Sequence, residues 1–362
     1  MKNHKYPLAI IAAIFLFSAT SLFAQAPKYS NEFLSIGVGG RALGMSNSCV
    51  SSIDDVTAGY WNPSGLLGIK SDMQVGLMHS EYFAGIAKYD YGAVARKLDT
   101  SSAFGLSFIR FGVDNIPNTT ELIDAAGNVN YDNITQFSAA DYAFLISYAR
   151  SSKIKGLHLG ANAKIIRRIV GDFAGAWGFG LDAGAQYERK GWKFGAMARD
   201  VTSTFNAWSY SLTDEMKEVF AVTGNDIPVN SVEITLPRVI LGVSKKIDVI
   251  KNITFMGELN ADFTFDGMRN VAFKSDPVSA DPHLGLELGY KNMLFLRGGV
   301  MNIQQEKEVT GKKVTTMQPN FGVGVKIKRI SIDYAKTDIG NQSIAPSSHV
   351  FSVRLDINKQ SK

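Results

Sequence analysis

Long stretches of this chain alternate apolar with polar or small residues, one by one. Trp177, Phe179, Leu181, Ala183, Ala185 and Tyr187 share one parity, and Gly178, Gly180, Asp182, Gly184, Gln186 and Glu188 share the other. Ile253, Phe255, Leu259, Ala261, Phe263 and Phe265 likewise oppose Thr254, Glu258, Asn260, Asp262 and Thr264. Leu284, Leu286, Leu288 and Tyr290 oppose Gly285, Glu287, Gly289 and Lys291; Phe321, Val323, Val325 and Ile327 oppose Gly322, Gly324, Lys326 and Lys328. Side chains of a strand point alternately to its two faces, so period two with one apolar face predicts strands. These runs are longer than the ~5–6 residues usual in soluble sandwiches. Read along the whole chain, the pattern places strands at 73–80, 87–98, 102–113, 138–150, 156–170, 174–188, 192–201, 235–248, 253–265, 282–290, 293–304, 315–328, 330–338 and 348–358, fourteen in all.

The connections are unequal. Tight links fall around Asp99, Ser151, Lys190, Ile247, Asn292 and Arg329, and most of the others are long; residues 171–173 are the exception. An even number of strands with tight turns at one end and long loops at the other is the pattern of a transmembrane outer-membrane β-barrel, with both termini expected in the periplasm. Tyr89, Tyr148, Tyr187, Trp192, Tyr290 and Tyr334 near strand ends suit the aromatic girdles of such a barrel. The long loops span 113–137, 202–234 and 266–281. The first carries Asp114, Glu121, Asp124 and Asp132 with no Lys or Arg, and within the second residues 211–222 predict a short amphipathic helix.

Residues 1–24 read as a cleaved secretory signal: Lys2, His4 and Lys5 precede an apolar run from Leu8 to Phe17, with cleavage after Ala24 or Ala26. Without Lys2 and Lys5 the formal charge of +5 falls to +3, which is not a nucleic-acid footprint. The single cysteine, Cys49, excludes an intramolecular disulfide and suits a packed thiol in a small-residue segment. After the signal no apolar run approaches the ~18 residues of a spanning helix, so a membrane-embedded chain has to be a closed barrel.

Residues 25–68 differ from the rest, and the barrel is expected to occupy 69–362. Gly37, Gly39, Gly40, Gly44 and Gly65 permit close backbone approach, and Asn62-Pro63 sets a reversal before the first strand. Glu32, Phe33, Leu34, Ile36, Gly37, Gly39, Arg41, Ala42, Leu43, Gly44, Met45, Val50, Asp54, Asp55, Ala58, Tyr60, Trp61, Asn62, Pro63, Gly65 and Leu66 follow a pattern similar to the start of the PorV/PorQ outer-membrane proteins. The segment also resembles the N-terminal hatch of FadL-like barrels. Ser46, Asn47 and Ser64 depart from the pattern, where glycine or alanine is usual. The resemblance implies a plug inside a fourteen-stranded barrel, closed by the Asn62-Pro63-Ser64 turn with Trp61 anchored beside the wall. It also implies a role in type IX secretion, with secreted cargo proteins and other secretion components as partners beside outer-membrane lipid. The alternative it leaves open is a FadL-like channel for a hydrophobic ligand.

Gly37-x-Gly39-x-x-Ala42, with Asp54 and Asp55 seventeen and eighteen residues after Gly37, imitates a dinucleotide fingerprint. The helix that motif requires is absent, because Asn47, Ser48, Ser51 and Ser52 are poor helix formers. His79, His158, His283 and His349 are scattered without metal-ligand spacing, and no Gly-x-Ser-x-Gly elbow occurs. Asp54-Asp55 reads as a turn or ion-pair element. No enzyme activity, cofactor or metal is expected.

Overall fold

The alternating stretches form strands that join edge to edge into a closed barrel. The computed structural model describes residues 30–120, 122, 128–222, 224–307, 311–337 and 347–358. The signal segment, residues 25–29, and Glu121 and Asp124 lie outside the described residues. In chain order the strands are β1 Met73–Tyr82, β2 Ala87–Lys97, β3 Ser102–Asn118, β4 Thr135–Ser151, β5 Leu157–Val170, β6 Ala174–Arg189, β7 Trp192–Arg199, β8 Phe205–Tyr210, β9 Ser231–Ile234, β10 Arg238–Ile250, β11 Ile253–Thr264, β12 Ser279–Tyr290, β13 Leu294–Lys307, β14 Lys313–Ile327, β15 Ile330–Thr337 and β16 Ser348–Ile357. Fourteen of them, β1–β7 and β10–β16, make the ring, each antiparallel to its two neighbours. It closes where β1 pairs with β16, Val75 opposite Leu355. Closure leaves no ring strand with an unpaired edge, which lipid requires.

The period-two pattern sorts cleanly in space. Leu77, Trp177 and Leu288 point outward and are 61%, 58% and 45% exposed, while their chain neighbours Met78, Gly178 and Glu287 face the lumen. A soluble protein would bury the apolar parity; here lipid takes the place of a core. Tyr148, Trp192 and Tyr290 lie on this outer face, but Tyr89 does not. It points inward, fully buried against Tyr82 and Phe111, because residues 87, 89 and 91 are the lumenal parity of β2.

Two of the predicted loops are shorter than expected. β3 and β4 continue past the register shift at Val113/Ile116, so the first loop contracts to residues 119–134. In the second, β8 and β9 form an outer tip on the β7/β10 hairpin: β8 lies beside β6 with Phe205 opposite Phe179, and β9 pairs back with Ile234 opposite Phe205. From Ala198 (opposite Ala183) to Phe205 (opposite Phe179) the chain advances 205 − 198 = 7 residues against 183 − 179 = 4 on β6. The three extra residues bulge at 200–204, where Asp200 and Ser203 take positive φ of 56° and 54°. Beyond the tip, the expected helix forms as α3, Asp214–Val222, with Asp214 and Glu215 in its first turn.

Residues 30–69 run through the lumen. The segment contains two short helical turns, α1 Gly40–Gly44 and α2 Ala58–Trp61, and a 3-10 turn at Pro63–Gly68. Phe33, Leu34, Val38, Leu43, Ile53, Val56, Tyr60, Trp61, Leu66 and Ile69 merge with inward side chains of β1–β5, among them Met78, Tyr89, Ile109, Leu145 and Ile166, into one apolar cluster. The first described residue does not lie at the tight-turn end: Asn206 on β8 donates to the Ser30 hydroxyl at 2.8 Å, and Asn31 donates to Thr235 at 2.8 Å, both near the long loops. The segment descends from there to Met73, opposite Ile357 at the tight-turn end.

Candidate functional site: the lumenal hatch and the vestibule above it

The wall makes room for the hatch with glycine. A Cβ added at Gly160, Gly184, Gly195, Gly285, Gly299 or Gly322 would come within 3.0 Å of an atom of Asn62, Ser64, Val50, Met45, Ser46 or Gly44. These glycines stand on the inward parity of six different strands, so the hatch backbone lies directly against the barrel backbone. Within the hatch, Gly37 and Gly39 take positive φ of 101° and 86°, turning the chain into α1. Gly40 sits against Asp333, and its N–H donates to the Ser352 hydroxyl at 2.9 Å. Gly65 is packed on the Ile53 carbonyl.

Asn62 ties the reversal to the wall. Fully buried, it accepts from the Ser64 hydroxyl at 2.7 Å, and its amide donates to the carbonyls of Val50 at 3.0 Å and Ala185 at 3.1 Å. Pro63 opens the 3-10 turn that follows, where its missing N–H costs nothing. Trp61 holds the hatch together beside the wall: its indole donates to Val38 at 2.9 Å, its ring stands edge-on to Tyr60, and the guanidinium of Arg199 on β7 lies 5.6 Å from the ring centre.

The charged residues of the hatch face the opposite wall. Arg41 reaches Glu287 at 3.1 Å and Asp54 at 3.5 Å, Arg297 joins Glu287 and Asp333 at 2.7 Å each, and Arg354 pairs with Asp55. Burial alone would raise the Asp55 carboxyl, but Arg354, Arg41 and the Thr57 hydroxyl together hold it below the ordinary carboxylate range. Ser51 N–H donates to Glu258 at 2.7 Å, and the Ser51 hydroxyl to Ser244 at 2.7 Å. Cys49 lies between these groups, 1% exposed; burial first, then the nearby Glu258, pushes its thiol well up, leaving an inert packed sulfur.

Above the hatch, toward the long loops, a vestibule opens. Its floor carries Arg199, which donates to the Leu34 and Tyr60 carbonyls at 3.0 and 3.1 Å and lies 4.4 Å over the Tyr60 ring. The β7/β8 bulge beside it is pinned by Lys164, which bridges Asp182 at 2.8 Å and Asp200 at 2.5 Å. A cavity of about 220 Å³ lies across the floor toward β10–β13. Arg199, Lys164, Asp281 and His283 were not among the residues expected from the sequence. Their signal was present as polar or charged residues on the inward parity of their strands.

No family model matches the sequence, and no curated protein matches it. Solved structures do match in fold. The toluene transporter TodX of Pseudomonas putida superposes with a TM-score of 0.55 at 14% identity, over 90% of this chain and 99% of that one. The Ralstonia pickettii toluene transporter TbuX gives 0.52 at 13%, over 89% and 99%. The CymD monoaromatic hydrocarbon channel gives 0.53 at 12%, over 90% and 99%. The chain therefore has the fold of a FadL-like outer-membrane barrel.

Proposed function

We propose that the protein is an outer-membrane channel for small hydrophobic molecules, with residues 30–69 as its movable hatch. It is an exported, non-enzymatic barrel whose surroundings are outer-membrane lipid. The observation that carries this reading is the docking of the hatch: backbone lies against backbone on glycine, one flank is apolar, and the other is held by ion pairs that can exchange partners. Three neighbours in fold are described as toluene or monoaromatic hydrocarbon transporters or channels, which supports a ligand of that class here. The second reading, a cargo-carrying component of type IX secretion, is favoured by the hatch signature from Glu32 to Leu66 alone.

Deleting the gene and following both processes separates the two. The channel reading expects slower uptake of a small hydrophobic compound such as toluene, with export of C-terminally tagged proteins unchanged. Tagged cargo trapped in the periplasm with uptake unaltered would reverse the assignment.

A further inference from the structure

The cavity above the hatch has a mixed lining: apolar Val50, Trp61 and Ile240 stand beside polar Asn47, Arg199 and His283. These three polar residues are 7%, 5% and 6% exposed, and each keeps one polar atom with no hydrogen-bond partner among the described residues: Asn47 Oδ1, Arg199 Nε and His283 Nδ1. Asp281 Oδ1, at the same cavity, is also unpartnered. Buried polar atoms are nearly always satisfied, because an orphan loses its hydration without a replacement. Four around one space mark a place built for something that hydrogen-bonds. Asn47 sharpens this. It takes a positive φ of 62°, where glycine would be cheaper, and supplies an amide oxygen that glycine lacks.

We propose that this cavity binds a small hydroxyl-bearing molecule with an apolar body. The unpaired atoms include a donor, the Arg199 Nε–H, and acceptors on Asn47 and Asp281; a hydroxyl both accepts and donates, whereas a bare hydrocarbon does neither. An ammonium group only donates, so it would leave the Arg199 Nε–H without an acceptor. The size fits, since a cavity of ~150 Å³ holds a benzene ring, and about 220 Å³ leaves room for a ring with a polar substituent. The inference deepens the channel reading and rests on it for the ligand's access to the lumen.

The test is equilibrium binding of radiolabelled benzyl alcohol, toluene and benzylamine to the folded full-length protein in nanodiscs. His283→Leu and Asn47→Gly run in parallel, so that partition into lipid cancels. Heat-modifiable gel migration verifies that each variant is folded. Benzyl alcohol should bind at least about tenfold tighter than toluene and benzylamine, and each variant should lose most of that difference. Toluene or benzylamine binding as tightly as benzyl alcohol would overturn the proposal. So would equal binding by wild type and both variants, or no specific binding at millimolar concentration, which would leave water as the sole occupant. Absence of toluene flux in proteoliposomes would defeat the channel reading without touching this result, and a failed binding test would leave flux intact.

Discussion

Against β1–β5 the hatch presents Leu66, Ile53, Val56 and Tyr60 to Ile109, Leu145, Ile166 and Tyr91, and few charges cross the boundary. Against β7 and β10–β16 it presents Arg41, Ser51 and Asp55 to Glu287, Ser244, Glu258 and Arg354, with Val50, Met197 and Ile240 as a small apolar cluster and Ala335 and Val350 joining the larger one. The first side is close-packed and non-directional; parting it exposes apolar surface to water. The second is directional and cheap to part only if each charge finds a new partner at once. One segment therefore has a face that resists leaving and a face that can be traded, which suits a hatch that swings rather than falls out.

Breaking the charged side should have the largest effect. Glu287→Ala leaves Arg41 and Arg297 without the carboxylate they share, at a cost of ~3–5 kcal/mol. Cys49, the chain's single cysteine, reports it: its labelling by a maleimide should accelerate about a hundredfold or more over wild type. An unchanged rate would mean that the ion network does not hold the hatch.

On the apolar side Leu66→Ala removes a fully buried side chain, at a cost of ~2–5 kcal/mol. Because Leu66 belongs to a cluster shared with the wall, the loss should appear as a lower temperature for the shift in gel migration. A normal shift temperature would show that this flank adds nothing to the barrel.

Asn62→Ala is expected to be milder, ~1–3 kcal/mol, because it leaves the Val50 and Ala185 carbonyls short of a donor without exposing apolar surface. Limited proteolysis within residues 30–69 should quicken while the strands stay resistant. Cleavage in the barrel first would place the role of Asn62 elsewhere.

The smallest effect is that of pH. The Asp55 carboxyl lies below its ordinary range in the fold, so its contribution is complete above the unfolded value of ~3.9 and fades as the pH falls through the lower folded value. Pepsin cleavage of the hatch should therefore rise in that window and not above it. Arg354→Leu, which removes the partner, should move the rise to higher pH; no movement would contradict the pairing.

All fourteen ring strands were legible because a barrel in lipid imposes one rule, outward apolar and inward not, at every position. β8 and β9 were not, since residues 200–204 break the parity with polar turn formers, and the strand beyond the bulge resumes for only six residues. The segment from Glu32 to Leu66 stood out by its glycines and its Asn62-Pro63 turn. The partners of Arg41 and Asp55 did not, because they lie 246 and 299 residues away on strands whose position around the ring only closure determines. Arg199, Lys164, Asp281 and His283 were visible as inward-parity residues, yet alternation identifies a face and not what the face surrounds. The hydrogen bond from the Trp61 indole to Val38 was not legible either, because it depends on how the hatch folds back on itself.

The central claim is that residues 30–69 close the lumen, and single-channel conductance in a planar bilayer tests it most directly. Wild type is compared with a variant lacking residues 30–69, both verified as folded by their heat-modifiable migration. A closed or barely conducting wild type and a large, steady conductance in the deletion are expected. Equal conductance in the two would contradict it.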